Sequence, residues 1–336
     1  MSSFYREISM SKLGSYWYGR RALTVFLIPF SWLYCLVVFL RRKAYKTGLF
    51  NITNFDIPVV VVGNITVGGT GKTPVVIWLA NFLRKAGYFP AIVSRGYKGQ
   101  AKSWPQQVRA DSDPVMVGDE AVLLAKRCQC PVAVGPDRVE AVKGLLKYSD
   151  CDVIISDDGL QHHALGRDVE IAVIDGVRRF GNGYCLPAGP LREPVSRLKE
   201  VDLVIANGGG VMRLEYPMAL VAGQVHNLMD ESLIHHPDVF RNRQIHAIAG
   251  IGNPDRFFYH LQRLGINIIE HPFHDHHLFA AEDIQFDDDL PVLMTEKDAV
   301  KCKRFANEKC WYLSIDAQPD RRVGERILTL IEKLSH

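Results

Sequence analysis

The chain has 336 residues, 47% of them hydrophobic and 23% charged, with 27 Gly and 17 Pro; these proportions describe a globular protein and exclude disordered, collagen-like and coiled-coil classes. At roughly 100 to 200 residues per domain, the length predicts two domains, each large enough to bury a core. Forty Lys and Arg against 37 Asp and Glu leave a formal charge of +3, so no global field draws nucleic acid and any anion site has to be built locally.

The first marked feature in chain order is residues 23–40, LTVFLIPFSWLYCLVVFL, a run without a charge between Arg20 and Arg21 on one side and Arg41, Arg42 and Lys43 on the other. A helix of that length rises roughly 27 Å, just short of a hydrocarbon core of about 30 Å. No small-residue cleavage site follows, which argues against a signal peptide. Tyr16, Trp17, Tyr18, Trp32 and Tyr34 suit a headgroup boundary, and Pro29 interrupts the run. The segment is expected to be an interfacial or hairpin-like anchor that holds a cytosolic enzyme on a bilayer; a full span and a buried core helix are the alternatives.

Residues 57–62, IPVVVV, read as a buried parallel strand. The loop GNITVGGTGKT follows at residues 63–73, and Pro74 then opens a helix that ends at Gly87. Strand, glycine loop and helix are the setting of a nucleoside triphosphate site. Small residues let backbone amides curl around the β-phosphate, Lys72 reaches the β and γ oxygens, and the Thr73 hydroxyl can ligate Mg2+. The loop departs from GxxxxGK[ST] in having Thr66 where the first Gly belongs, while Gly68, Gly69 and Gly71 remain.

Such a site needs a carboxylate at the tip of a neighbouring strand. Residues 152–156, DVIIS, form that strand and run into Asp157 and Asp158, which could hold the metal or simply cap a turn. Between the two motifs lie a strand at 89–94 and then Val117, Gly118, Asp119 and Glu120 at the head of an apolar helix. Two roles fit Asp119: capping that helix, or taking the proton of an acceptor hydroxyl during in-line phosphoryl transfer.

Further strands are expected at 171–176 and 202–209, giving the rhythm of a parallel α/β sheet. The expected division is a membrane-associating segment at 1–45, a P-loop kinase domain at 46–217 and a smaller α/β domain at 218–336 that begins with a connector strand. Gly250 and Gly252 do not complete a dinucleotide fingerprint, because Asp255 stands where the third Gly belongs. Glu296 and Lys297 at a helix start either touch the nucleotide or are solvated first-turn residues. His274, His276 and His277 around Asp275 also permit a metal-binding reading. The seven cysteines are scattered without a CxxC pair, which fits a reducing compartment, with Cys128 and Cys130 as packing residues.

GNITVGGTGKTP, SRGYKG, VGDEA, GPDR, ISDDGLQHH, LPAGPLREP and FHDHHLF, in this order after an apolar N-terminus, resemble the tetraacyldisaccharide 4'-kinase family, membrane-associated kinases of lipid A biosynthesis in Gram-negative bacteria. The resemblance covers nearly the whole chain. It implies transfer of the ATP γ-phosphate, with Mg2+, to the 4'-hydroxyl of tetraacyldisaccharide 1-phosphate, giving lipid IVA at the cytoplasmic face of the inner membrane. No nucleic acid and no obligate protein partner are expected. The resemblance further implies that Gly68, Gly69, Thr70, Gly71, Lys72 and Thr73 hold the nucleotide, and that Thr73, Glu120, Asp157 and Asp158 form the metal and phosphate shell. Asp119 matches the base and His276 its partner, while Arg138, Gln161, His162 and Arg192 stand at substrate positions. Lys72 and His276 fall in different domains, so the site is expected in a cleft whose closure assembles it. A membrane-recruited P-loop ATPase switch without a small-molecule acceptor is the alternative, although Val67 stands where such loops need Lys.

Overall fold

The computed structural model describes residue 17 and residues 22–334; Tyr16, Tyr18, Arg20 and Arg21 lie outside the described residues. The apolar segment is one helix, α1 (Ala22–Lys46), unbroken through Pro29, so no hairpin forms there. It is long and apolar enough to cross a membrane over Thr24–Lys46, and almost none of that stretch is buried, which removes the core-helix alternative. What α1 does bury is a polar seam. Ser31 Oγ donates to Cys185 O at 2.8 Å and Tyr34 Oη to Arg192 O at 3.1 Å, while Arg42 and Lys46 pair with Glu200. The tips of Trp17 and Tyr34 are therefore engaged by protein, Trp17 through Nε1 donating to Pro187 O at 3.1 Å.

The parallel strands β1 (Val59–Gly63), β2 (Pro90–Ser94) and β5 (Val153–Asp157) are buried at every position, as β-branched runs covered on both faces must be. With β4 (Val132–Val134), β6 (Val169–Asp175) and β7 (Leu203–Asn207) they form the first half of the sheet, in the order β7-β6-β1-β5-β2-β4. The short antiparallel β3 (Gln106–Val108) closes the edge; its polar sequence carries no strand signal. Helix α2 (Lys72–Lys85) packs Val75, Val76, Leu79 and Leu83 onto one face. On the same face lie α3 (Pro114–Val117) and α4 (Asp119–Cys128), and α5 (Arg138–Tyr148) covers the other.

A long strand, β8 (Glu215–Asn227), pairs in parallel with β7 and antiparallel with β13 (Cys310–Pro319), so one sheet runs through the chain. The short β9 (Ile234–His235) pairs beside β8. Beyond β13 stand β12 (Val292–Thr295), β10 (Gln244–Ala249) and β11 (Asn267–Pro272). Helices α6 (Pro254–Arg263) and α7 (Glu296–Cys302) complete this second, smaller α/β unit, while α8 (Arg321–Glu332) returns to pack Val323, Ile327 and Ile331 into the core of the first half. The fold is the mostly parallel α/β architecture expected, and the C-terminal ends of β1, β5 and β7 meet at the phosphate loop, as in other open α/β sheets that bind ligands.

One residue staples the halves together. Arg127 on α4 donates to Glu296 at 2.6 and 2.7 Å and also to Asp316. Glu296 is only 7% exposed, so it is not a solvated first-turn residue. Replacing Arg127 with Met leaves a buried carboxylate unpaired and is expected to cost about 3 kcal/mol. Urea midpoints measure the loss, and Glu296→Gln in the same chain should recover part of it.

Candidate active site

The phosphate loop joins β1 to α2 with its backbone held from three sides. Gly71 adopts φ +94°, and a Cβ there would lie 2.7 Å from Asn207 Nδ2, so both conformation and space demand glycine. Asn207, at the tip of β7, donates to Thr70 O at 3.0 Å and accepts from Arg256 of α6 at 3.3 Å. It thus ties the loop to the second half of the protein, a role the sequence reading missed. Asn64 Nδ2 spans Gly68 O and Thr70 Oγ1 from within, and Arg178 donates to Gly69 O.

Lys72 Nζ lies 3.4 Å from Asp158, which Arg192 also meets at 3.1 and 3.2 Å. Burial would raise the Asp158 carboxyl, but the two cations outweigh it and hold the pKa at about 2. Asp157, the last residue of β5, accepts from Ser94 Oγ at 3.1 Å, and its Oδ1 is buried without a hydrogen-bond partner. Burial, with Glu120 and Asp158 nearby, pushes its pKa up.

Facing these carboxylates is the pair the sequence placed in different domains. Asp119 is 5% exposed at the first turn of α4, and its Oδ2 lies 2.9 Å from His276 Nδ1. The pair is already assembled in this conformation, so closure is not required to bring the two together. Gly118 permits the approach at φ +95°, where a Cβ would meet Tyr97 O at 2.9 Å. Asp119 Oδ1 accepts only from the adjacent Glu120 N. Lys297 Nζ reaches Glu120 at 3.1 Å, Asp275 at 3.4 Å and His276 Nε2 at 3.4 Å. An ammonium only donates, so His276 Nε2 accepts and the proton sits on Nδ1, directed at Asp119. Burial would raise the Asp119 pKa, but His276 and Lys297 hold it at about 2. Burial would lower the Lys297 pKa, but Glu120, Asp119 and Asp275 drive it upward.

Arg138 is buried at the start of α5, its guanidinium donating to Gly135 O and Pro136 O at 3.2 Å. Burial lowers its pKa against the raising fields of Asp157 and Asp158. Gln161 Nε2 donates to Asn64 O at 3.1 Å and to Glu193 at 2.7 Å, beneath the loop. His162 accepts from Arg138 N at 3.4 Å, and burial with the Arg138 charge lowers its pKa to about 4. The histidines around Asp275 turn to separate partners, His276 to Asp119 and His277 to Asp283 at 3.0 Å. Among the described residues no group of His, Cys, Asp and Glu could by itself hold a metal ion, so the metal reading of that loop is set aside.

A glycine loop between strand and helix, with carboxylates at the neighbouring strand tip and a cross-cleft acid-histidine pair, defines a P-loop phosphotransferase fold. Residues 23–332 match the family model described as Tetraacyldisaccharide-1-P 4'-kinase. The chain is 54% identical over 321 residues to a tetraacyldisaccharide 4'-kinase of Nitrosococcus oceani, covering 95% of this chain and 94% of that one. It is 49% identical over 330 residues to that of Alkalilimnicola ehrlichii, covering 97% and 98%. Its fold is similar to the crystal structure of LpxK from Aquifex aeolicus in complex with ATP, at a TM-score of 0.79 and 28% identity over 92% of this chain and 99% of that one. The chain belongs to the tetraacyldisaccharide 4'-kinase family, and the ATPase-switch alternative is not favoured.

Because the Asp158 pKa is depressed, its stabilisation is fully present above the ordinary 3.8 and is lost as pH falls through about 2. Asp158→Asn is expected to cost about 2 kcal/mol at neutral pH. The gap between wild-type and variant urea midpoints should close on acidification towards about 2. A constant gap would mean that Asp158 is not held by Lys72 and Arg192.

Proposed function

We propose that the chain transfers the γ-phosphoryl group of ATP to the 4'-hydroxyl of tetraacyldisaccharide 1-phosphate, forming lipid IVA at the cytoplasmic face of the inner membrane. The observation that carries this reading is the 2.9 Å contact of Asp119 with His276, which supports Asp119 as the proton acceptor that phosphoryl transfer from the loop requires. As the new O–P bond forms, Asp119 takes the hydroxyl proton and ADP leaves with the β–γ bridging oxygen. The Nδ1–H of His276 orients the Asp119 carboxylate, and Lys297 fixes the ring through Nε2.

The amides of Gly68, Gly69, Thr70 and Gly71 cradle the phosphates, and Lys72 turns from Asp158 to the β and γ oxygens. Mg2+ fits this donor set, because the unpartnered buried Oδ1 of Asp157 supplies a hard oxygen. Thr73 and Asp157 would hold the ion, with Glu120 and Asp158 around it, and it would neutralise charge on the phosphate oxygens. Arg192 and Arg138 are suited to phosphate oxygens of the substrates. Gln161 and His162 shape the same wall, Gln161 through the loop backbone. The division at residue 217 is part of this reading, with β8 as the connector on which the two units meet. The outward face of α1, lined by Phe26, Phe30, Trp32 and Leu36, holds the enzyme on the bilayer that contains its acceptor.

The deciding experiment follows label from γ-labelled ATP into tetraacyldisaccharide 1-phosphate in detergent micelles with Mg2+. Label in a bisphosphorylated lipid with the intact chain, and none with Lys72→Ala, is the expected result. Hydrolysis of ATP without labelled lipid would remove the kinase reading. Asp119→Ala should lower kcat far more than it changes the ATP KM; a change in KM alone would reduce Asp119 to a binding residue. Lys297→Met should likewise lower kcat, by about ten-fold or more, because the His276 ring loses the donor that fixes it.

A further inference from the structure

At the C-terminal edge of the sheet two turns carry an apolar lip that phosphoryl transfer leaves unused. Val177, just after β6, is 76% exposed, and Met212 and Leu214, between β7 and β8, are 62% and 85% exposed. The turns are neighbours, since Gly176 N donates to Asn207 O at 3.0 Å. Arg179 joins them through a bidentate pair with Glu215 at 2.7 and 2.9 Å, and Glu215 also accepts from Met212 N at 2.9 Å. Within this clamp Leu214 takes φ +74°, a conformation bulky side chains avoid. The turn is thus built to hold these apolar side chains outward.

The lip borders the docking site of α1. Asn182 N donates to Trp17 O at 2.9 Å, and Phe180 packs into the same cluster as Tyr34 and Cys35 of α1. The segment that carries Val177 is therefore the one against which α1 docks, and through the Arg179–Glu215 pair it also holds the turn of Met212 and Leu214. Arg213 stands between Met212 and Leu214 at the tip of the lip, a basic-apolar pattern that matches anionic phospholipid headgroups. We propose that Val177, Met212 and Leu214 form a second membrane contact, dipping into the headgroup–acyl boundary of an anionic bilayer alongside α1. The proposal rests on the membrane reading of α1. A single helix leaves the body of the protein free to rotate about its axis, and a second contact removes that freedom. Arg178 donates to Gly69 O, so the contact lies one residue from the nucleotide cradle and fixes the height of the cleft above the lipid.

The test uses the full chain with a polarity-sensitive fluorophore at Leu214→Cys, at Val37→Cys on α1 and at Glu325→Cys on α8, with the labelled wild type subtracted for its native cysteines. Phosphatidylglycerol vesicles should shift positions 214 and 37 to the blue and leave 325 unchanged. A shift at 37 with silence at 214 overturns the lip alone; silence at both overturns the membrane reading of α1 as well. A shift at 214 that needs no lipid and grows with protein concentration assigns the surface to a second copy and overturns the proposal. The double substitution Met212→Asp with Leu214→Asp should lower kcat/KM for acceptor in vesicles about ten-fold and leave the ATP KM unchanged. An equal loss with detergent-dispersed acceptor would make the turn a structural element of the site, against the proposal.

Discussion

Two adjacent carboxylates at the tip of β5, Asp157 buried and Asp158 half-buried, set the condition on which the rest of the site depends. Buried charge is tolerated only where it is paired, and here Lys72 and Arg192 supply the pairing from opposite sides. Lys72 belongs to the phosphate loop and Arg192 to the long turn between β6 and β7. The backbone of Arg192 is itself held, its N donating to Ile65 O at 2.7 Å and its O accepting from Tyr34 of α1. One charge requirement therefore draws the nucleotide loop, the strand tip and the apolar helix into a single arrangement. Asp157 remains under-compensated, with one oxygen unpartnered and a raised pKa.

The second half of the protein reaches the site with His276, Arg256 and a central cation, Lys297. Lys297 stands at the start of α7 and meets Glu120 and Asp275 while lying against His276. Its charge holds Asp119 ionised and its geometry leaves His276 a single tautomer for the pair. His276 sits at φ +62°, a left-handed conformation uncommon in residues other than glycine. The polar contacts of Lys297 and Asp119 hold the ring there. Strain of this kind concentrates where surrounding contacts over-determine a side chain, and here those contacts come from both sides of the cleft.

The parts of this arrangement that were legible in the sequence are the local ones. The phosphate loop announced itself because strand, glycines, Lys72 and helix are consecutive, and Asp157 and Asp158 because they end an apolar run. Asp119 and His276 could be paired only by resemblance, since 157 residues separate them and no periodicity reports such a contact. Lys297 and Glu296 left two readings open, nucleotide contact or solvated first turn, because their burial depends on α4 folding back across them. Asn207 looked like the end of a strand, and its bond to Thr70 is visible only once β7 lies beside the loop. Of the interfacial and hairpin-like forms expected for the anchor, the hairpin at Pro29 did not form. A proline removes one donor and costs helix stability, yet the remaining turns of α1 carry the helix through it.

The way α1 is attached follows from the same physics. Its seam of Ser31, Tyr34, Arg42 and Lys46 falls on one face at helical spacing, and each member bonds to the turn between β6 and β7. The remaining faces are apolar and exposed. For a helix bordering lipid, apolar packing against the protein gains little over packing against acyl chains, so association has to come from hydrogen bonds and close fit. A narrow polar seam meets that requirement and leaves the other faces of the helix apolar and exposed. The helix is thereby more than a tether: Tyr34 bonds to the backbone of the residue whose guanidinium neutralises Asp158. Displacing α1 from the body cannot occur without stressing that arginine, so the seating of the helix and the charge balance of the phosphate site are set by one set of contacts.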